Sequence, residues 1–436
     1  MTHAEKFGGP QEIIATLGNR SFDPLRQHNR PGLLLENGHI VIAWASHCDN
    51  APYQGWVISY NAASLAQEAV FNTEADSTSG GDGGIWMSGD GVAADASGNL
   101  YFATGNGGFN PATGNYGDSI VKLSGPSAGA FSVADFFTPF NQSSLSGGDT
   151  DLGSGGLLLL PDLPAGSAHQ QLLVQMGKEG KIYLVDRNSM GQFCTTCTSQ
   201  DTNIVQEIPG ASTGIWGSPS YWNGNVYWGG GYGRTADNLK AFSFNANNSG
   251  MLSTSPTSMS SNAFSFSTAA PVVSANGTTN GILWILDNSA FGSSCCQILY
   301  AYDATNLATM LYNSNQAAGS RDVPGGAVKF TAPIVANGKV YVGSQGKVSG
   351  YGFLAATPTF SPPPGKFKSS VTVDLSDTTA GAVIHCTTDG VTTPTASSPV
   401  CTSLTITTTT TLQAIAVASG FNNSAVASGT YHRVGK

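Results

Sequence analysis

Short runs of alternating apolar and polar residues recur along most of the chain, many closed by Asn-Gly or another Gly-bearing pair. A period of two marks half-buried strands, and Asn-Gly supplies the left-handed positions of a tight hairpin. Candidate first strands read GLLLENG from Gly32, DGVAADASGN from Asp90, GGLLLLPD from Gly155, GSPSYWNGN from Gly217, AAPVVSANG from Ala269 and TAPIVANGK from Thr331. Aromatic-rich second strands follow as HIVIAWAS, NLYFATGNG, QLLVQMGKEG, NVYWGGGYG, GILWILDNS and KVYVGSQGK. Third strands follow as GWVISYNA, DSIVKLS, KIYLVDRN, NLKAFSFN, QILYAYDA and KVSGYGF, with a looser fourth strand after most of them. A unit of roughly 45 to 60 residues repeated six times in one strand order predicts the blades of a β-propeller, whereas a jelly roll requires no such repetition.

The last unit ends after its third strand near Phe353, so a strand from elsewhere is expected to complete it. Residues Glu5 to Ala15, EKFGGPQEIIA, are the candidate, and would close the ring as six blades.

Composition supports an all-β chain. Of the 436 residues, 55 are Gly and only 10% are charged, a balance suited to short strands and tight turns rather than long helices. A net charge of -9 with 18 Lys and Arg offers no dense basic face for phosphates, which argues against nucleic acid as a partner. No apolar run approaches the roughly 20 residues of a membrane helix, so no membrane insertion is expected. The start, MTHAEKFGG, lacks the basic and apolar regions of a signal peptide.

Seven cysteines point toward an oxidising compartment. Cys386 and Cys401 bracket a hairpin and form the expected disulfide. Cys194 and Cys197 form a C-x-x-C without a second such motif or ligand histidines, which leaves a loop-closing disulfide or two thiols rather than zinc; Cys48 is left over.

The phrases RPGLLLENGHIVIAWASHCD, GGIWMSGDGVAADASGNLYFATGNG, GKEGKIYLVDR, YDATNLATMLYNS and GGAVKFTAPIVANGKVYVGSQ resemble bacterial proteins with pyrroloquinoline quinone (PQQ)-binding-like β-propeller repeats, over roughly Ala4 to Leu354. In that group the segment matching AEKFGG follows a signal peptide and about two further blades. The resemblance therefore implies an N-terminally shortened chain, export, and a native ring of eight. It also raises the chemistry of PQQ dehydrogenases: a planar cofactor in the channel, a calcium or lanthanide ion, and an Asp base. Their adjacent-cysteine ring is matched in type by Cys295-Cys296, but in a Gly-Ser-rich connection, SAFGSSCCQ, and the repeated docking motif of the family is not found. PQQ is thus not the expected cofactor.

Composition shifts again at Ala355, which sets the expected domains as 1–354 for the propeller, 355–366 for a proline-rich linker and 367–436 for a second module. The segments HCTTDGVTTPTASSPVC and SLTITTTTTLQAIAVASGFNNSAVASGTY resemble the chitobiase/β-hexosaminidase C-terminal type of immunoglobulin-like, fibronectin-type-III-like β-sandwich. Such modules accompany secreted or surface proteins that act on polysaccharides, so the resemblance implies a secreted, periplasmic or cell-surface protein. The Thr run from Thr405 to Thr411 fits a solvent-facing strand.

Loops joining fourth to first and second to third strands emerge on one face of a propeller, around the channel, where ligands bind. His28, Arg30, Trp86, Trp216 and Lys329 fall before first strands; Lys178 and Arg234 fall between second and third. These seven are the candidate ligand-binding residues, with the two Trp as stacking platforms for a small molecule or polysaccharide. Asp49, Asp90, Asn106, Asp151 and Glu179 are the oxygen donors expected for a divalent ion, calcium above all, if the protein is a propeller hydrolase such as a lactonase or a glycoside-acting enzyme. Each has a plainer reading as turn cap or polar loop residue. The sequence carries no H-E-x-x-H, and it leaves catalysis and oligomeric state open.

Overall fold

A computed structural model describes residues 10–75, 82–127, 130–233, 235–245, 248–266, 270–293 and 295–435. The protein is almost entirely β, and the α-helix among the described residues is the short Gln142–Gly147. Two compact units divide the chain, one comprising Met1–Pro333 and Val342–Val348, the other Ile334–Tyr341 and Ser349–Lys436.

The first unit is built of antiparallel meanders in sequence order, the blade topology of a β-propeller. Blade 1 comprises Leu34–Glu36, His39–Ser46, Trp56–Asn61 and Gln67–Asn72; blade 2 comprises Ala93–Ala94, Leu100–Ala103, Ile120–Ser127 and Ala130–Thr138. Blade 3 comprises Leu158–Leu159, Leu172–Met176, Ile182–Asp186 and Gln206–Ile208; blade 4, Ser220–Trp222, Asn225–Trp228, Asp237–Ser243 and Ser258–Phe264; blade 5, Val272–Asn276, Thr279–Asp287, Ile298–Asp303 and Asn306–Asn313. A sixth sheet, Ile334–Ala336, Lys339–Ser344 and Lys347–Tyr351, has three strands, and only Val342–Val348 of it belong to the first unit. Asn37 and Gly38 both adopt positive φ, 48° and 83°, as the first-to-second hairpin of blade 1 requires.

Strand alternation explains why the blades stack. In blade 3, Leu172 and Val174 face a core shared with Val226 and Trp228 of blade 4, while Leu173 faces the core containing Phe102 and Ile120 of blade 2. In blade 4, Tyr227 points the other way from Trp228, to join Leu283 and Ile285 of blade 5. Each inner strand thus feeds two apolar layers, burying side chains on both faces.

Inner strands also meet through backbone. Gly32 N–H donates to the Asp90 carbonyl at 2.9 Å, and Gly156 N–H donates to the Ser218 hydroxyl at 2.9 Å. No side chain fits at Gly156: a Cβ there would collide with Ser218 Oγ and the Asp90 carboxylate.

Of the expected closing strand, the described residues 10–15 do not pair with the last sheet. Glu5 to Gly9 lie outside the described residues, and 10–15 form no strand. Ile13, Ala15 and Phe22 instead cover the face of blade 1 that turns away from blade 2, with Phe22 edge-on to Trp44 at 5.1 Å and to Trp56 at 5.9 Å. That face carries Ile42, Trp44 and Ile58, a strip of apolar surface too large to leave in water.

The C-terminal unit contains a β-sandwich. One sheet holds Thr359–Ser361, Val371–Ser376 and Ser403–Ile406; the other holds Lys366–Phe367, Val383–Thr387, Thr410–Val417 and Ala427–Arg433. Val373, Ile384, Ile406, Leu412 and Tyr431 fill the space between. The stretch expected to be a linker, 355–366, contributes Thr359–Ser361 to the first sheet, pairing with Asp374–Ser376. The Cys386–Cys401 disulfide is present within this core, and Cys194–Cys197 is also a disulfide.

Candidate functional site

Several of the expected loop residues contact one another, in two chemically distinct groups. Over blades 1 to 3 lie carboxylates. Lys178, its side chain 3% exposed, sets its ammonium 2.5 Å from Asp151 and 3.0 Å from Asp149. Asp151 also accepts from the Asn106 backbone N–H at 2.8 Å, and Asp149 from the Asn106 side-chain amide at 2.9 Å. Tyr53 donates to Asp49 at 3.3 Å. Asp82, missed at the sequence level, is pushed up to about 6 by burial and by the nearby charges of Asp49 and Asp151.

Over blades 4 to 6 the mouth is aromatic and cationic. Trp216, before the first strand of blade 4, lies 6.1 Å from Tyr232, 5.6 Å from Phe266 and 5.6 Å from Phe330 between ring centroids. Phe266 meets Phe291 edge-on at 5.6 Å. Trp216, Tyr232, Phe266 and Phe291, with Ser265 and Ser289, line an open cavity of about 560 Å³. Lys329 stands over Phe291 at 4.7 Å and over Phe266 at 5.6 Å, a cation–π arrangement at the rim.

Arg30 joins the halves. Its guanidinium lies 4.8 Å from the Phe330 ring and 5.4 Å from Trp86. Burial lowers its pKa, with opposing help from Asp49. Phe330, with φ of 61°, holds a left-handed conformation rare for a bulky residue, and from there it reaches both Arg30 and Trp216.

The other candidates fall as follows. Trp86 is no open platform: it is buried, packed edge-on to Tyr53 at 5.9 Å, and serves to hold Arg30. His28 stacks on His47 at 4.3 Å, and burial, then His47 and Arg30, lower its pKa. Arg234 lies outside the described residues. Asp90 sits among the inner strands, bonded to Gly91 N–H and the Ser218 hydroxyl and pushed up to about 6 by burial. Glu179 accepts from Tyr183 and Asn141, each at 2.9 Å, beside Lys181.

Of the five expected metal donors, Asn106 and Asp151 meet through the Asn106 backbone N–H, while Asp90 and Glu179 have separate partners. Among the described residues no three carboxylates, imidazoles or thiolates converge as a metal centre does. A PQQ and calcium pair needs such donors beside a free planar slot. Here Asp151 is engaged by Lys178, and Trp216 already contacts Lys178, Tyr232 and Phe330. Cys295 and Cys296 lie on an exposed loop as thiols, with sulfurs 2.7 Å apart. The residues present do not fit that cofactor. Tyr232, Phe266, Phe291 and Phe330 were missed because a loop aromatic reads as filler; their recurrence in successive mouth loops was the usable signal.

Residues 362–428 match the chitobiase/β-hexosaminidase C-terminal domain family. No curated protein matches the sequence. Among solved structures, similarity extends to a quinohemoprotein alcohol dehydrogenase from Pseudomonas putida HK5, at 15% identity and a TM-score of 0.44, covering 73% of this chain and 56% of that one. A europium-containing methanol dehydrogenase aligns at 12% identity and a TM-score of 0.33, over 76% and 62%. A fungal alcohol oxidase of the AA5 family aligns at 9% identity and a TM-score of 0.32, over 97% and 99%. The chain thus spans less than two thirds of the length of the two dehydrogenases. Among the described residues no helix is long and apolar enough to cross a membrane.

Proposed function

We propose that this protein is an exported binding scaffold whose propeller mouth takes up a carbohydrate or similar small molecule in the aromatic cavity over blades 4 to 6. The cavity itself carries the reading: four aromatic rings and two serine hydroxyls around about 560 Å³ suit a ring with apolar faces and polar edges. Two disulfides and a carbohydrate-associated terminal family support export to an oxidising compartment where polysaccharides are met. The test is thermal stability of the full chain against a panel of neutral and acidic oligosaccharides. A ligand at about 100 times its Kd should add about 2.7 kcal/mol. Phe291→Ala should remove that gain while keeping the unliganded stability close to the parent's. A panel in which nothing raises the melting temperature would overturn the reading.

One observation favours hydrolysis as a second reading. A carboxyl held at about 6, as at Asp82, is suited to donate a proton near neutral pH, and Asp49 and Asp151 supply its charged neighbours. Turnover of a glycoside or lactone that disappears in Asp82→Asn would select it.

A further inference from the structure

From the charge around the cavity, we infer that the saccharide taken up at the mouth is an acidic one, bearing a uronate carboxylate that pairs with Lys329. This rests on the proposed sugar binding and names its class.

Among the described residues the cavity wall over blades 4 and 5 contains no carboxylate: its polar lining is the Ser265 and Ser289 hydroxyls, Gly233 and Tyr232. Lys329 stands exposed at its rim, over Phe291 and Phe266, and among the described residues it forms no ion pair. Arg30, on the other side of Phe330, likewise has none. Lys178 makes the contrast: it too lies over Trp216, at 4.8 Å, but Asp149 and Asp151 already satisfy it. A chain of net charge -9 that leaves Lys329 without an ion-pair partner among the described residues, beside this aromatic cavity, is shaped for an anion there.

The anion must also present a face to the rings and groups to the hydroxyls. A pyranose uronate does both, its C–H face against the aromatic wall, its hydroxyls toward Ser265 and Ser289, and its carboxylate at the rim beside Lys329. A compact inorganic anion would use the cation and leave the rings idle.

The experiment is calorimetric titration of the full chain with a galacturonate trimer, the matched neutral galactose trimer and phenylacetate, at about 0.05 and 0.3 M salt. We expect the uronate to bind about two- to fivefold tighter than the neutral sugar at low salt, as one exposed ion pair supplies, and the margin to shrink at high salt. Lys329→Gln should bring the uronate down to the neutral sugar's affinity without altering the latter, and Lys329→Arg should restore the margin. Since Lys329 is exposed, neither variant endangers the fold. Equal affinity for both trimers overturns the acidic assignment and leaves sugar binding intact. Tighter binding of phenylacetate than of the uronate overturns the saccharide class. Binding of none of the three overturns this inference together with the reading it rests on.

Discussion

The ammonium of Lys178 lies 2.5 Å from the carboxylate of Asp151, and both side chains are shut away from solvent, at 3% and 8% exposure. Lys178 belongs to the second-to-third loop of blade 3 and Asp151 to the connection entering that blade, so the pair ties two mouth loops together. Asp149, bonded to the same ammonium, is 77% exposed.

This asymmetry separates two substitutions of like chemistry. Lys178→Met strands a buried carboxylate and should cost about 3 to 5 kcal/mol in urea unfolding. Asp149→Asn leaves the buried pair whole and should cost under about 1 kcal/mol. Equal losses would show that the pair is not the anchor of these loops.

Asp90 makes the stability depend on pH. Its folded pKa of about 6 exceeds the unfolded value near 3.9, so between these limits the folded chain holds a proton that the unfolded chain releases. Stability from this group is complete below about pH 4 and falls as the pH rises through 6. Asp90→Asn should therefore gain on the parent by about 1 to 3 kcal/mol between pH 4.5 and 7. Asp82 and Asp201, also pushed up to about 6, retain their share in both proteins. A parent-to-variant difference that is the same at both pH values would refute the assignment.

Gly156→Ala should destabilise the propeller by about 1 to 3 kcal/mol, because the new methyl meets Ser218 and Asp90 where three inner strands converge. Gly147→Ala, where a Cβ meets nothing within 4 Å, is the control and should be near neutral. Unfolding midpoints of the two variants decide.

The disulfides are separable by the count of thiols. Four of the seven cysteines are bonded, so native protein from an oxidising compartment should titrate three thiols, Cys48, Cys295 and Cys296. Replacing Cys386 and Cys401 by Ser opens a bridge between residues 15 apart and should cost the sandwich about 3 kcal/mol. All seven Trp residues precede Phe353, so Trp fluorescence follows the propeller alone. Its midpoint should stay fixed while part of the circular dichroism signal is lost at lower urea; a shifted Trp midpoint would contradict this.

The strand order of the blades was legible because it rests on local rules. His39–Ser46 alternates between two buried faces, and Asn37-Gly38 closes the turn before it. The mouth was legible only in part. Loop position grouped Lys178, Trp216 and Lys329, which do meet aromatic rings, yet Trp86 and Lys178, chosen by the same rule, are buried. Burial of a loop side chain depends on neighbours distant in sequence, and Trp86 is covered by Tyr53 and Arg30, 33 and 56 residues away. The metal donors failed to converge for the same reason: Asp151 and Glu179 have lysine partners that no spacing announces. The cover that Ile13 and Phe22 lay over blade 1 was hidden too, since a short apolar segment reads alike as a strand or a cap.

The two halves of the mouth make it an electrical axis as well as a cavity. Asp149 and Asp151 have their charge met by Lys178, whereas Lys329 over the aromatic rings has no ion-pair partner among the described residues, so the two halves differ in net field. If the proposed uronate binds here, its carboxylate leads toward Lys329, the end of the mouth whose cation is unpaired among the described residues.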